Sequence, residues 1–268
     1  MPSPDATISL VQRRIADQIP FGTIQKRARL ELFEPFNQLA LLAASSIPTT
    51  LNPTSAEMAL FFRANRDFII SGAGPPVDTN QAFADDGGML MSTKSAAPAS
   101  GNSTYITPHP TSVTKQSAWG LTNRFGSTKQ IRLRAQVSLP SIDLVIARVG
   151  LFAALAQPGN IASTGADNNA IFLIFDPALG ANWQLVQNIA GADTVTDTGV
   201  VVTVDTEYLI DFNIDLGLKT IIHINGTLIA AGLLINSPVN MRPQIAVGTL
   251  TNAAKTIKIR YMHLSTGI

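Results

Sequence analysis

Glu207 and Asp211 are the residues of this chain best suited by type to paired acid–base work, and their spacing argues against a hydrolytic pair. Cleaving a glycosidic bond takes two carboxyl groups roughly 5–10 Å apart across a cleft. Glu207 is the only glutamate after Glu57, and Asp211 follows it at i+4 in what reads as a single strand. Residues so spaced share a face but stand about 13 Å apart along the chain. The histidines, His109, His223 and His263, have no Ser or Asp setting of the triad kind around them. Asp167-Asn168-Asn169 and Asp176 offer the hard oxygens that calcium prefers. Asp and Asn are also ordinary turn residues, however, and no EF-hand spacing is present. Cysteine is absent, which excludes disulfides and thiolate metal sites. No catalytic residue, cofactor or metal is assigned, and the chain is expected not to be an enzyme.

Binding residues are easier to nominate. A sugar platform would need an aromatic ring beside amides; Trp183, between Asn182 and Gln184, is the first candidate and Trp119 the second. The competing role for both rings is packing in the core. Arg13, Arg14, Lys26, Arg27 and Arg29, with the apolar Leu39, Leu41 and Leu42, form a candidate partner-contact surface. Acids are interspersed there and no aromatics interleave, so nucleic acid is not the expected partner. The formal charge of +1 agrees. No apolar run is long enough to span a bilayer, and Arg13-Arg14 is not followed by the apolar region of a secretory signal. A protein made in a cytoplasm and soluble there is expected.

The elements that must carry these residues are strands. Ile131, Leu133, Ala135, Val137 and Leu139 alternate with Arg132, Arg134, Gln136 and Ser138, which predicts one dry and one wet face. Tyr208, Ile210, Phe212 and Ile214 alternate with Asp211, Asn213 and Asp215. Ile171–Phe175 and Val200–Val202 are apolar on both faces, as expected of covered strands. Asn225-Gly226, between two apolar runs, predicts a hairpin turn of type I′. Charge is segregated in sequence: acids but no Lys or Arg lie between Arg148 and Lys219, and bases alone follow Asp215. Strands that mix in space would erase this split.

Residues 1–59 read differently. Ile8, Val11, Ile15 and Ile19 fall at helical spacing before Pro20, and no self-sufficient core is visible. The segment is expected to be a partly helical, partly extended arm for attachment to a capsid or other partner. Residues 60–268 are expected to form an all-β sandwich, since short strands with frequent turn signals indicate a sandwich or barrel.

Several stretches resemble the concanavalin-like jelly-roll domains of virion structural proteins from tailed bacteriophages. They include Asn182-Trp183-Gln184, Asp197-Thr198-Gly199-Val200, Asp205-Thr206-Glu207-Tyr208, Ile224-Asn225-Gly226-Thr227, and Thr251–Thr256 leading into the last strand. Phe61–Gly72, Ile106-Thr107-Pro108-His109 and Ser117-Ala118-Trp119 resemble them too. The resemblance implies a jelly-roll fold and a virion location. It also implies a capsid decoration or cement role that stabilises the head across capsid subunits, as a homo-oligomer, with a trimer preferred by analogy. The alternatives it leaves are a head- or tail-fibre module that recognises polysaccharide, and a glycan-cleaving enzyme. Glucanases share this fold, but their Glu-x-Asp-x-x-Glu run is missing here.

Overall fold

The computed structural model describes residues 29–34, 68–72, 81–84, 87–93, 103–108, 130–152, 170–215, 219–234 and 242–267. These residues form fifteen strands and, among them, no helix. In chain order they are β1 (Arg29–Glu34), β2 (Phe68–Gly72), β3 (Gln81–Phe83), β4 (Met89–Ser92), β5 (Ser103–Pro108), β6 (Ile131–Ser138), β7 (Val145–Phe152) and β8 (Ala170–Phe175). The rest are β9 (Asn182–Ile189), β10 (Ala192–Val201), β11 (Tyr208–Ile214), β12 (Lys219–Ile224), β13 (Thr227–Leu234), β14 (Arg242–Thr249) and β15 (Thr256–Gly267).

Two antiparallel sheets result. The first runs β13-β12-β11-β6-β15-β4-β3, with β1 added to the second half of β15; the other runs β10-β9-β8-β7-β14-β5-β2. Between them lies the core predicted from alternation. Ile131, Leu133, Ala135 and Val137 of β6 are fully buried, as are Ile210, Phe212 and Ile214 of β11. They pack against Val145, Ala147, Val149 and Leu151 of β7 and Ile171 and Leu173 of β8. The intervening Arg132, Arg134 and Gln136 are half-buried on the opposite face.

The outer faces of the two sheets differ. On the second sheet Tyr105, Ile146, Phe152, Phe172, Ile174 and Val186 form another buried apolar cluster. Arg148 is buried with them, its guanidinium 4.8 Å from the centre of the Phe172 ring. This is why β7 and β8 are apolar on both faces, as the sequence of Ile171–Phe175 predicts.

Two expectations are corrected. Val200–Val202 is not a covered strand: β10 is the edge of its sheet, and Val201 is 57% exposed. A register shift between Asp197 and Val201, with Gly199 at φ 70°, interrupts the ladder before pairing with β9 resumes at Val201↔Asn182. Residues 29–34, placed in the arm, instead pair with β15 from Arg29↔Gly267 to Glu34↔Met262. Three charges in six residues hid that strand, because its pairing is supplied by the far end of the chain. The charge segregation disappears as mixing of the strands predicts, since Glu207 and Asp211 of the acidic stretch bond to Arg260 and Arg132. The helical stripe and the rest of residues 1–59 lie outside the described residues.

The Asn225-Gly226 turn is present as predicted. Both residues have positive φ, 52° and 79°, and a two-residue loop joins β12 to β13. Asn225 is also pinned to β11: its N–H donates to Leu209 O and its Oδ1 accepts from Leu209 N–H, each at 2.8 Å. Gly226→Val is expected to lower stability by about 1–2 kcal/mol, because β-branched residues tolerate positive φ poorly. Reversible denaturation compared with wild type measures this. A second glycine is constrained by close approach. A Cβ on Gly150 would stand 2.5 Å from both Ile171 O and Phe172 Cα, so the neighbouring strand's backbone would have to move. Gly150→Ala is expected to cost roughly 1–3 kcal/mol, as over-packing in a dense interior does, and the same denaturation series checks it.

Candidate functional site

The outer face of the first sheet gathers the polar side chains that the fold does not bury. Register places His223 of β12 opposite Asp211 of β11, Asp211 opposite Arg134 of β6, and Arg134 opposite His263 of β15. These four lie in one row across adjacent strands, a span of roughly 14 Å at the usual strand spacing. The row on one side holds Asn213, Arg132 and Ser265, and the row on the other holds Leu209, Gln136 and Tyr261.

Tyr261 owes its place to an irregularity. Val137 pairs with Ile259 but Gln136 pairs with Tyr261, leaving Arg260 as an extra residue. Such a bulge breaks the in–out alternation. Ile257 and Ile259 before it are buried, and so are Met262 and Leu264 after it, while Arg260 and Tyr261 are both half-exposed.

Ion pairs organise the face. Arg132 forks onto Asp211: Nε donates to Oδ1 at 3.0 Å and Nη2 to Oδ2. Glu207 accepts from Arg260 Nε and from Gln136 Nε2, and Arg260 Nη1 reaches Gly87 O at 2.9 Å. Both carboxylates singled out from the sequence are therefore held by arginines, each with at least two hydrogen bonds. Arg134 has no such partner among the described residues, and its Nε is buried without a hydrogen bond. The same holds for Oδ1 of Asn213. The Tyr261 phenol is pushed above its ordinary value near 10, chiefly by burial; Arg134 and Arg132 pull it down and Asp211 pushes it up. It remains a neutral donor and acceptor through the physiological range.

The sequence-nominated residues fall elsewhere. Trp183 is fully buried in the core, edge-on to Phe175 and Tyr208 at 6.3 and 5.8 Å, so it offers no exposed sugar platform. The large ring fills the space where the two sheets meet. Asp176 is buried at the end of β8, where it accepts the Ala178 N–H at 2.9 Å. Asp197, on the exposed edge strand, has its pKa lowered first by the Gly199 N–H and then by the Asn182 amide. Arg29 opens β1 opposite Gly267. Arg13, Arg14, Lys26, Arg27, Leu39, Leu41, Leu42, Trp119, His109 and Asp167–Asn169 lie outside the described residues. No group of three or more metal-ligating side chains occurs among the described residues. Sequence reading missed the association of His223, His263, Asn213 and Tyr261 with β6. The wet half of β6 was the signal available.

Comparison with known proteins bears on the fold. No protein-family model and no curated protein matches the sequence. Solved structures do match. One is a protein of unknown function from Shewanella oneidensis MR-1, with a TM-score of 0.55 and 12% identity, covering 100% of this chain and 95% of that one. Another is an endo-1,3-beta-glucanase from Streptomyces sioyaensis, with a TM-score of 0.54 and 10% identity, covering 90% of this chain and 97% of that one. A Bacillus licheniformis beta-glucanase gives a TM-score of 0.50 and 9% identity, covering 87% and 97%. The fold is an all-β sandwich of two antiparallel sheets, and the solved structures it is similar to are concanavalin-like jelly rolls.

One correction follows from that fold. The expectation that this chain is not an enzyme is overturned, because jelly rolls matching nearly its whole length include glucan-cleaving enzymes. The lack of one glucanase carboxylate run had excluded a single arrangement of acids, not catalysis on this scaffold. The capsid, cement and virion parts of the resemblance gain nothing from these structures.

Tyr261 is expected to titrate above its ordinary value near 10. A folded-state pKa above the unfolded one adds stability that is complete below the unfolded value and lost as pH rises through the folded one. Ultraviolet difference titration should therefore show one phenol ionising late, absent in Tyr261→Phe, with stability that is less sensitive to alkaline pH in that variant.

Proposed function

We propose that this protein is a polysaccharide-recognising jelly roll that binds a glycan chain across the outer face of its first sheet. The observation that carries this reading is the set of rows centred on Arg134. Amide, phenol, imidazole and guanidinium groups from β11, β12, β6 and β15 converge there on one half-exposed surface. Sugars present dense hydroxyls that both donate and accept, and this mixture can answer both roles. Rigid strands hold the groups in place, and the Arg132–Asp211 and Arg260–Glu207 pairs fix their neighbours.

The second sheet's outer face is a poorer candidate, being apolar and buried. The glucanases that share this fold act on glucans by their names, which supports a sugar ligand for this chain without specifying which one. In the virion setting that the sequence resemblance implies, such a module would be a receptor-recognition head and not a lattice cement. A reconstruction of the intact particle would locate it.

The test uses full-length protein in affinity electrophoresis and calorimetry against neutral and acidic polysaccharides, with product analysis on the same samples. Gln136→Ala combined with Asn213→Ala is expected to weaken binding about tenfold or more, since each removed group leaves a sugar hydroxyl unanswered. Binding unchanged by that pair would remove the ligand from this face. Release of shortened chains, lost in Tyr261→Phe or His263→Gln, would add cleavage to recognition.

A further inference from the structure

Within the glycan-binding reading, on which this inference rests, the distribution of charge on the face specifies the kind of sugar. Three arginines stand there on two neighbouring strands, Arg132 and Arg134 on β6 and Arg260 on β15. Asp211 and Glu207 reach them and are taken: Asp211 by the fork of Arg132, Glu207 by Arg260 and Gln136. Asp211 lies directly opposite Arg134 in register, yet it is Arg132, one row away, that binds it. Arg134 is left at the centre of the face with no hydrogen bond or ion pair among the described residues, and its Nε is buried and unanswered.

A guanidinium in a half-buried setting is costly when nothing neutralises it. A fixed, planar fork of donors is the geometry that takes a carboxylate through two parallel bonds. Its neighbours suit the remainder of an acidic sugar. Tyr261 and Gln136 lie in the adjoining row, and Asn213 lies in the row on the other side, its buried Oδ1 without a partner among the described residues. His263 stands opposite Arg134 itself, and His223 lies beyond Asp211 in the same row.

We infer that the glycan is anionic, a polyuronate, with Arg134 as the specificity-determining residue that receives the sugar carboxylate. The carboxylate replaces the internal anion that Arg134 lacks. Nothing in this assignment requires a bond to be made or broken.

The experiment compares one backbone with and without its charge: polygalacturonate against its fully methyl-esterified form, with polymannuronate, a neutral β-glucan and dextran sulfate alongside. Wild-type protein is expected to bind at least one polyuronate about tenfold or more tighter than the esterified and neutral chains, with affinity falling as salt rises. Arg134→Gln should abolish that preference and Arg134→Lys should restore only part of it, the ammonium keeping the charge but not the fork. Thermal unfolding of both variants establishes that the sandwich is intact. Equal binding of acidic and esterified chains, unaffected by Arg134→Gln, overturns the acidic specificity and leaves the glycan face standing. Preference for dextran sulfate over every polyuronate overturns the carboxylate assignment. Binding to none of the polysaccharides overturns both readings together.

Discussion

The two-residue period of β6 is the constraint on which the rest of this structure depends. It lies at the middle of its sheet, paired with β11 on one side and β15 on the other. Its odd-numbered residues, Ile131 to Val137, are fully buried against the second sheet. A slip of one residue would send Arg132, Arg134 and Gln136 into that core and the aliphatic set into water. The cost of burying two guanidinium groups without partners makes such a slip inaccessible. Register and surface chemistry are therefore fixed by one decision: what keeps the core dry also aligns Arg134 with Asp211 and His263.

The sandwich protects its two outer faces unequally. One is occupied by a second apolar cluster with Arg148 stacked on Phe172. The other carries ion pairs whose partners are themselves half-exposed, so each contributes little to stability in water. Their value is geometric. Arg132 and Arg260 immobilise the acids, which decides which polar atoms remain available in the middle of the face.

Much of the fold was legible in the sequence wherever a strand reports its own surroundings. β6 and β11 alternate because one face of each is wet, β8 does not because neither is, and Asn225-Gly226 can take positive φ where few residue pairs can. What could not be read is what depends on pairing across the chain. β1 is a strand because residues 262–267 receive it, some 230 positions away. The same holds for the candidate site. Asp211, Arg134 and His263 are 77 and 129 residues apart in sequence, and only register makes them neighbours. Trp183 takes the core role that was weighed against a sugar platform. Its polar flanks, Asn182 and Gln184, suggested exposure, but alternation points them away from the side that the ring occupies.

The extra residue at Arg260 has a genetic consequence. Before it, the odd positions of the last strand face inward; after it, the even ones do. The strand also changes edge partners across this point, from β4 along Thr256–Ile259 to β1 along Met262–Gly267. Removal of one codon here would join Ile259 to Tyr261 in unbroken alternation, keeping Met262 and Leu264 inward and Tyr261 and His263 outward. An in-frame loss at position 260 would thus spare both faces of the last strand and remove only what Arg260 itself holds, the Glu207 carboxylate and the Gly87 carbonyl.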